Sequence, residues 1–131
     1  MILVDSSAWI DFLASRETPW TDAVADATRD GEVVVGDLVL AEVLQGFRIE
    51  HELTNARRVL RMFPQRTLCD PSIAEDAAAN FRLLRRRGLT IRGTIDVIIA
   101  TWCLRNDASI IHNDRDLAVM ERELGLVSYT G

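Results

Sequence analysis

The chain has 131 residues, 48% of them hydrophobic, which is enough to bury one sizeable core and too few to divide comfortably into two. Its formal charge of −5 argues against a general nucleic-acid coat protein, which needs a net basic field to hold phosphate. All 15 basic residues are arginine, so with no lysine the P-loop lysine, Schiff-base chemistry and a Ser-Lys nucleophile pair are excluded.

A single domain over residues 1–131 is therefore expected. The opening apolar strand, residues 2–4, meets Asp5 before it could become a signal-peptide core. No later stretch is apolar and long enough to span a bilayer, so a cytoplasmic protein is expected. Apolar residues then recur at helical spacing over 7–14 and 19–29, followed by a strand over 33–35. Helical patterns over 38–47 and 51–63 lead to a strand over 66–68, and a long one covers 72–87. The remaining pattern is helix 94–105, strand 109–112, helix 115–124 and strand 126–128. Strands alternating with helices, without hairpin dipeptides, predict an α/β fold with a mainly parallel sheet of about five strands covered on both faces. Gly31, Gly88 and Gly125 fall just past helical runs, where a left-handed cap is expected. Cys69 and Cys103 sit in apolar company, away from any metal-ligand spacing, and read as buried free thiols.

In open parallel sheets, sites form beyond the carboxyl ends of the strands, where strand order reverses. Asp5 ends the first strand; Ser6 and Ser7 are available to cap the helix that follows, which leaves Asp5 less needed there. Glu42 lies in a helix with almost no polar face, and a buried carboxylate is costly unless paired, with Arg48 as one candidate, or metal-bound. Asp96 sits in the first turn of an apolar helix that Thr94 can cap. Asp114 follows a second strand end, and since it and Asp116 cannot both be the same cap, one is free to face a site. Each acid alone is explained by capping or a salt bridge. Together they describe an oxygen-rich pocket whose mutual repulsion calls for a hard divalent cation. His51 and His112 stand alone, so a zinc ligand set is missing.

Asp5 in Val-Asp-Ser-Ser, Glu42 in Leu-Ala-Glu-Val-Leu-Gln-Gly, Asp96 in Thr-Ile-Asp-Val-Ile-Ile-Ala-Thr and Asp114 in His-Asn-Asp-Arg-Asp-Leu resemble, in order and context, the four acidic motifs of PIN domains. Similarity is greatest to the VapC toxins of type II toxin-antitoxin systems, and it covers nearly the whole chain. Asn113 departs from the pattern, since the family often has Thr or Ser there. The resemblance implies a three-layer α/β/α fold with a twisted sheet. It implies Mg²⁺ or Mn²⁺ held by Asp5, Glu42, Asp96 and Asp114, with Asp116 at the rim, and metal-activated water cutting RNA endonucleolytically to leave 5′-phosphate and 3′-hydroxyl ends. It also implies a homodimer, neutralised by a small cognate antitoxin that directs an arginine toward the carboxylates.

Around that centre, Ser6 and Thr94 are expected to orient the acids. Arg85, Arg86, Arg87 and Arg92 offer a basic margin for flanking phosphates, although a solvated helix end explains them equally well. Trp9, Phe12, Leu13, Phe47 and Phe63 either line a groove for an antitoxin helix or belong to the core. Phosphoacceptor folds of the haloacid dehalogenase or receiver type share only Asp5; the former wants an acid at Ser7, and both want a lysine. DNA flap cleavage lacks an inserted arch. A non-catalytic RNA- or protein-binding module is the alternative function.

Overall fold

In the computed structural model, which describes residues 1–130, runs rich in β-branched residues form three of the strands and a short polar pair forms the other. These are β1 (Ile2–Val4), β2 (Val33–Gly36), β3 (Gln65–Arg66) and β4 (Ser109–Ile111). They join in the order β3-β2-β1-β4, and every pair is parallel. Ile2 stands between Val33 and Ser109, so β1 is central. β1 and β2 are buried along their whole length, which is why their sequences read as unbroken apolar runs instead of alternating.

Seven helices complete the described residues: α1 (Ser6–Leu13), α2 (Pro19–Asp30), α3 (Asp37–Gln45), α4 (Glu50–Leu60), α5 (Pro71–Arg86), α6 (Thr94–Arg105) and α7 (Arg115–Leu124). The last two have the bounds expected from the sequence, and the others differ by one to three residues at an end, where fraying and caps decide. Gly31 and Gly125 close α2 and α7 in the left-handed conformation, at φ +75° and +79°. α6 is buried nearly all round: Val97, Ile99, Ala100, Thr101, Trp102 and Cys103 all lie inside.

The fifth strand expected at 126–128 is reduced to one parallel bridge between Ile110 and Ser128. Two hydrogen bonds hold it, from Ile110 N to Val127 O and from Tyr129 N to Ile110 O, each 2.9 Å. Only Leu126 turns inward there while Val127 is 61% exposed, so no apolar run anchors a longer ladder. β3 also lies slightly upstream of the expected 66–68, because Leu68 has left the ladder to fill the core over Gly36. A Cβ on Gly36 would lie 2.3 Å from Leu68 Cδ1, so only glycine permits that approach. The Asp37 carboxylate fixes the same corner, accepting from Leu38 N and Leu68 N at 2.8 and 3.0 Å. Cys103 is buried as expected, but Cys69 is exposed: it separates buried Leu68 from Asp70, which caps α5, and turns outward.

From β1 the chain steps outward to β2 and β3, then returns to place β4 on the other side of β1. Strand order thus reverses at β1, and the crevice beyond β1 and β4 is where this architecture places a site. No described helix is long and apolar enough to cross a membrane.

Candidate metal centre

Asp5 leaves β1 into that crevice and is only 3% exposed. It is itself the cap of α1, contrary to the expectation that Ser6 or Ser7 serves: its Oδ2 accepts from Ser7 N at 3.2 Å and from Ser7 Oγ at 2.6 Å. Both serines are thereby released for other work. Ser7 Oγ also accepts from Asn113 N at 2.9 Å, which ties the end of β1 to the segment after β4. Ser6 Oγ donates to Glu42 Oε1 at 3.2 Å. The remaining oxygen of Asp5, Oδ1, is buried and has no hydrogen-bond partner. Burial drives the Asp5 carboxyl above its usual range, the Ser7 bonds pull it back, and the Asp114 charge pushes it up further.

Glu42 is half-buried on α3 and forms no ion pair among the described residues, so Arg48 does not fold back over it. Its carboxyl is raised by burial and by Asp5, with the Ser6 bond opposing and Asp114 adding to the rise. Asp96, in the first turn of α6, is raised to about 7, by burial first and then by the charges of Asp114, Asp5, Glu42 and Asp116. The expectation that Thr94 caps this helix fails. The cap is Gly93, without a side-chain bond, and Thr94 is exposed. Among the described residues, the hydroxyls bonded to these acids are those of Ser7, on Asp5, and Ser6, on Glu42.

Asp114 caps α7, its Oδ1 accepting from Asp116 N at 2.8 Å and Leu117 N at 3.0 Å. His112 braces it from behind. Asp114 N donates to His112 Nδ1 at 3.1 Å, which leaves the proton on Nε2, 2.8 Å from Glu121 Oε2. The sequence reading gave neither His112 nor Glu121 this role, since nothing in the spacing reveals a bond between the end of a strand and the second turn of a helix.

Because Asp114 serves as the cap, Asp116 is the acid free to turn inward, and it is only 4% exposed. It is grouped with two of the other acids: Asp96, Asp114 and Asp116 each present an oxygen, all within 4.8 Å of one another. Asp5 and Glu42 lie outside this trio but are coupled to it through the charges above.

The basic margin is differently used from expectation. Arg92 is bound to the acids, with its backbone N and Nε each 3.1 Å from Asp116 Oδ2 and its Nη2 3.7 Å from Asp114 Oδ2. Arg87 donates to Glu123 O at 2.9 Å and pairs with its carboxylate, joining α5 to α7. Arg85 lies over the Phe81 ring, 5.3 Å from its centroid, and Arg86 is exposed. Asp5, Glu42 and Asp96 have no arginine partner among the described residues.

Of the apolar residues that the sequence left open between groove and core, Trp9 is fully buried in the core, packed against Phe12 and Phe63 at centroid distances of 5.9 and 5.7 Å. Leu13 and Phe47 instead line a mostly apolar groove of about 420 Å³, together with Ile10, Ala14, His51 and Asn55.

The donor set of the crevice is all carboxylate, three of its acids are pushed toward the protonated form, and one buried oxygen is orphaned. Such a set fits a hard divalent cation, which satisfies an unpaired oxygen and removes the repulsion together.

Among proteins of known identity, the chain is 27% identical over 124 residues to Ribonuclease VapC11 of Mycobacterium tuberculosis, a match covering 93% of this chain and 92% of that one. A VapC ribonuclease of Mycobacterium bovis matches to the same degree, 27% over 124 residues. In fold it resembles VapBC2 from Rickettsia felis, crystallised on a DNA fragment from its promoter, at TM-score 0.75 and 15% identity over 98% of this chain and 97% of that one. It also resembles VapC20 of Mycobacterium tuberculosis, a Sarcin-Ricin loop cleaving toxin, at TM-score 0.68 and 16% identity over 91% of this chain and 94% of that one. The PIN domain family model matches residues 2–123, which takes in β1, the crevice and all five of its acids; the chain belongs to the PIN domain family.

Proposed function

We propose that the chain is a divalent-metal-dependent endoribonuclease of the VapC toxin type, cutting RNA by hydrolysis. The observation that carries this reading is the orphaned, buried Asp5 Oδ1 at the head of a five-carboxylate crevice. The relatives matched at 27% identity are named ribonucleases, which supports RNA as the substrate.

In this reading Asp5, Glu42, Asp96, Asp114 and Asp116 hold Mg²⁺ or Mn²⁺. A divalent ion there supplies Lewis-acid activation of water and neutralises charge on the phosphate. The chain's own residues do the positioning: Ser7 fixes Asp5, Ser6 fixes Glu42, and His112 with Glu121 fixes the Asp114 backbone. No side-chain nucleophile is needed, and by resemblance to the family the attacking water leaves 5′-phosphate and 3′-hydroxyl ends. Arg86, exposed at the end of α5, is a candidate in this reading for meeting a flanking phosphate. The groove formed by Ile10, Leu13 and Phe47 suits the apolar face of an antitoxin helix, in keeping with the toxin-antitoxin assemblies among its structural neighbours.

The test incubates the purified protein with total RNA in Mg²⁺, in EDTA, and beside Asp5→Ala. Cleavage only by the unaltered protein with metal supports the reading; RNA held equally well in EDTA without cleavage would point to a binding module.

Ser7→Ala removes one hydroxyl that serves both strand ends. Metal affinity is expected to fall by about 10- to 100-fold, as for other groups that orient a ligand. Isothermal titration with Mn²⁺ measures it, and an unchanged affinity would remove Ser7 from the positioning set.

A further inference from the structure

We infer that Arg92 sets the divalent-cation affinity of the carboxylate centre, by competing with the cation for Asp114 and Asp116. The inference rests on the metal-centre reading above. Arg92 contacts two members of the carboxylate trio, through Nε on Asp116 Oδ2 at 3.1 Å and Nη2 toward Asp114 Oδ2 at 3.7 Å. A guanidinium at that range lies against two of the three acids that could share a cation, and two positive centres a few ångströms apart repel.

The geometry makes the arginine displaceable without loss of the site. Its side chain is 61% exposed, so swinging into solvent strips it of little protein contact. It lies in the connection between α5 and α6, flanked by Gly88 at φ +77° and by Gly93, the cap of α6. Asp116 keeps the 3.1 Å bond from the Arg92 backbone N–H when the side chain leaves, and Asp114 keeps its own cap contacts to Asp116 N and Leu117 N. The carboxylates therefore stay aimed while their counter-ion changes. Before the cation arrives, Arg92 reduces the repulsion among the acids; afterwards its charge is free for other partners. Arg92 acts through Asp114 and Asp116, as their exchangeable counter-ion.

Arg92→Gln keeps the length and polarity of the side chain and removes the charge. Calorimetric titration of the purified chain with Mn²⁺ is expected to show a dissociation constant lower by about fivefold or more than that of the unaltered protein. The rise in Tm that saturating Mn²⁺ produces is expected to be larger in the variant, because its metal-free form has lost the internal counter-ion. Arg29→Gln changes net charge equally but removes a partner of Asp26 on α2, and should move the constant by less than about twofold. Equal or weaker Mn²⁺ binding by Arg92→Gln overturns the competition and makes Arg92 a structural brace. Equal tightening in both variants also overturns it, leaving only a general charge effect. Absence of Mn²⁺ binding in every protein refutes the metal-centre reading, and the competition with it.

Discussion

Asp96→Asn is expected to abolish metal-dependent RNA cleavage and, in the same molecule, to stabilise the metal-free fold at neutral pH. The first effect follows from removing one of the three acids that share oxygens within 4.8 Å. Loss of several kcal/mol of charge stabilisation in the transition state corresponds to a fall on the order of a thousandfold in rate. The second follows from linkage. The Asp96 carboxyl titrates near 7 in the folded chain against 3.8 for an ordinary aspartate, chiefly because it is buried and secondarily because four other acids face it. Between about pH 4 and 7 the native state therefore holds a proton that the unfolded chain has released. Stability from this group is intact below that window and is lost as pH rises through it. Asp5 and Glu42 are shifted in the same direction and add to the trend.

An asparagine carries no charge to be buried or repelled. With allowance for the screening of a part-exposed group, the metal-free variant should melt about 2 to 4 °C higher at pH 7.5 and no higher at pH 4. Thermal melts in EDTA at the two pH values check this. The unaltered protein should in turn gain more from Mn²⁺ at pH 8 than at pH 5.5, since protons compete for the same oxygens. A variant that retains metal-dependent cleavage, or one that melts lower at pH 7.5, would remove Asp96 from the centre.

Trp9→Ala carries the largest expected loss of stability, about 3 to 5 kcal/mol. The ring, carried on α1, is fully buried and packs against Phe12 and Phe63. Small domains hold only about 5 to 15 kcal/mol in total, so the variant should populate unfolded chains at modest denaturant. Trp9→Phe should lose much less, about 1.5 kcal/mol or under, because the indole N–H has no partner to forfeit and most of the apolar surface remains. Urea unfolding followed by circular dichroism measures both. Equal losses in the two variants would show that the indole as a whole, and not buried apolar volume, is what the core requires.

Much of the architecture was legible because its physics is local. Unbroken apolar runs at 2–4 and 33–35 announced strands covered on both faces, and the 3.6-residue recurrence of apolar side chains located all seven helices. Asp5 and Asp114 were legible as acids at strand ends, and Glu42 and Asp96 as acids in apolar helices. The ordered set of four motifs also pointed to the family. Where expectation failed, the cause was a contact across the fold. The stretch 126–128 has strand composition but only one inward residue and a single bridge. For Trp9 the sequence left groove and core both open, and the fold placed it in the core.

The sequence by itself determined which residues carry charge, where the strands end, and that acids stand at those ends, because these depend on neighbours along the chain. Only the tertiary structure decided how the polar groups are shared. It made Asp5 and Asp114 caps, sent Ser7 across to Asn113, turned Asp116 into the trio and laid Arg92 over it. The reason is physical: a hydroxyl, a backbone amide or a guanidinium bonds whatever acceptor the fold brings within about 3 Å, and that proximity is set by the parallel pairing of β1 with β4 and not by spacing in the chain.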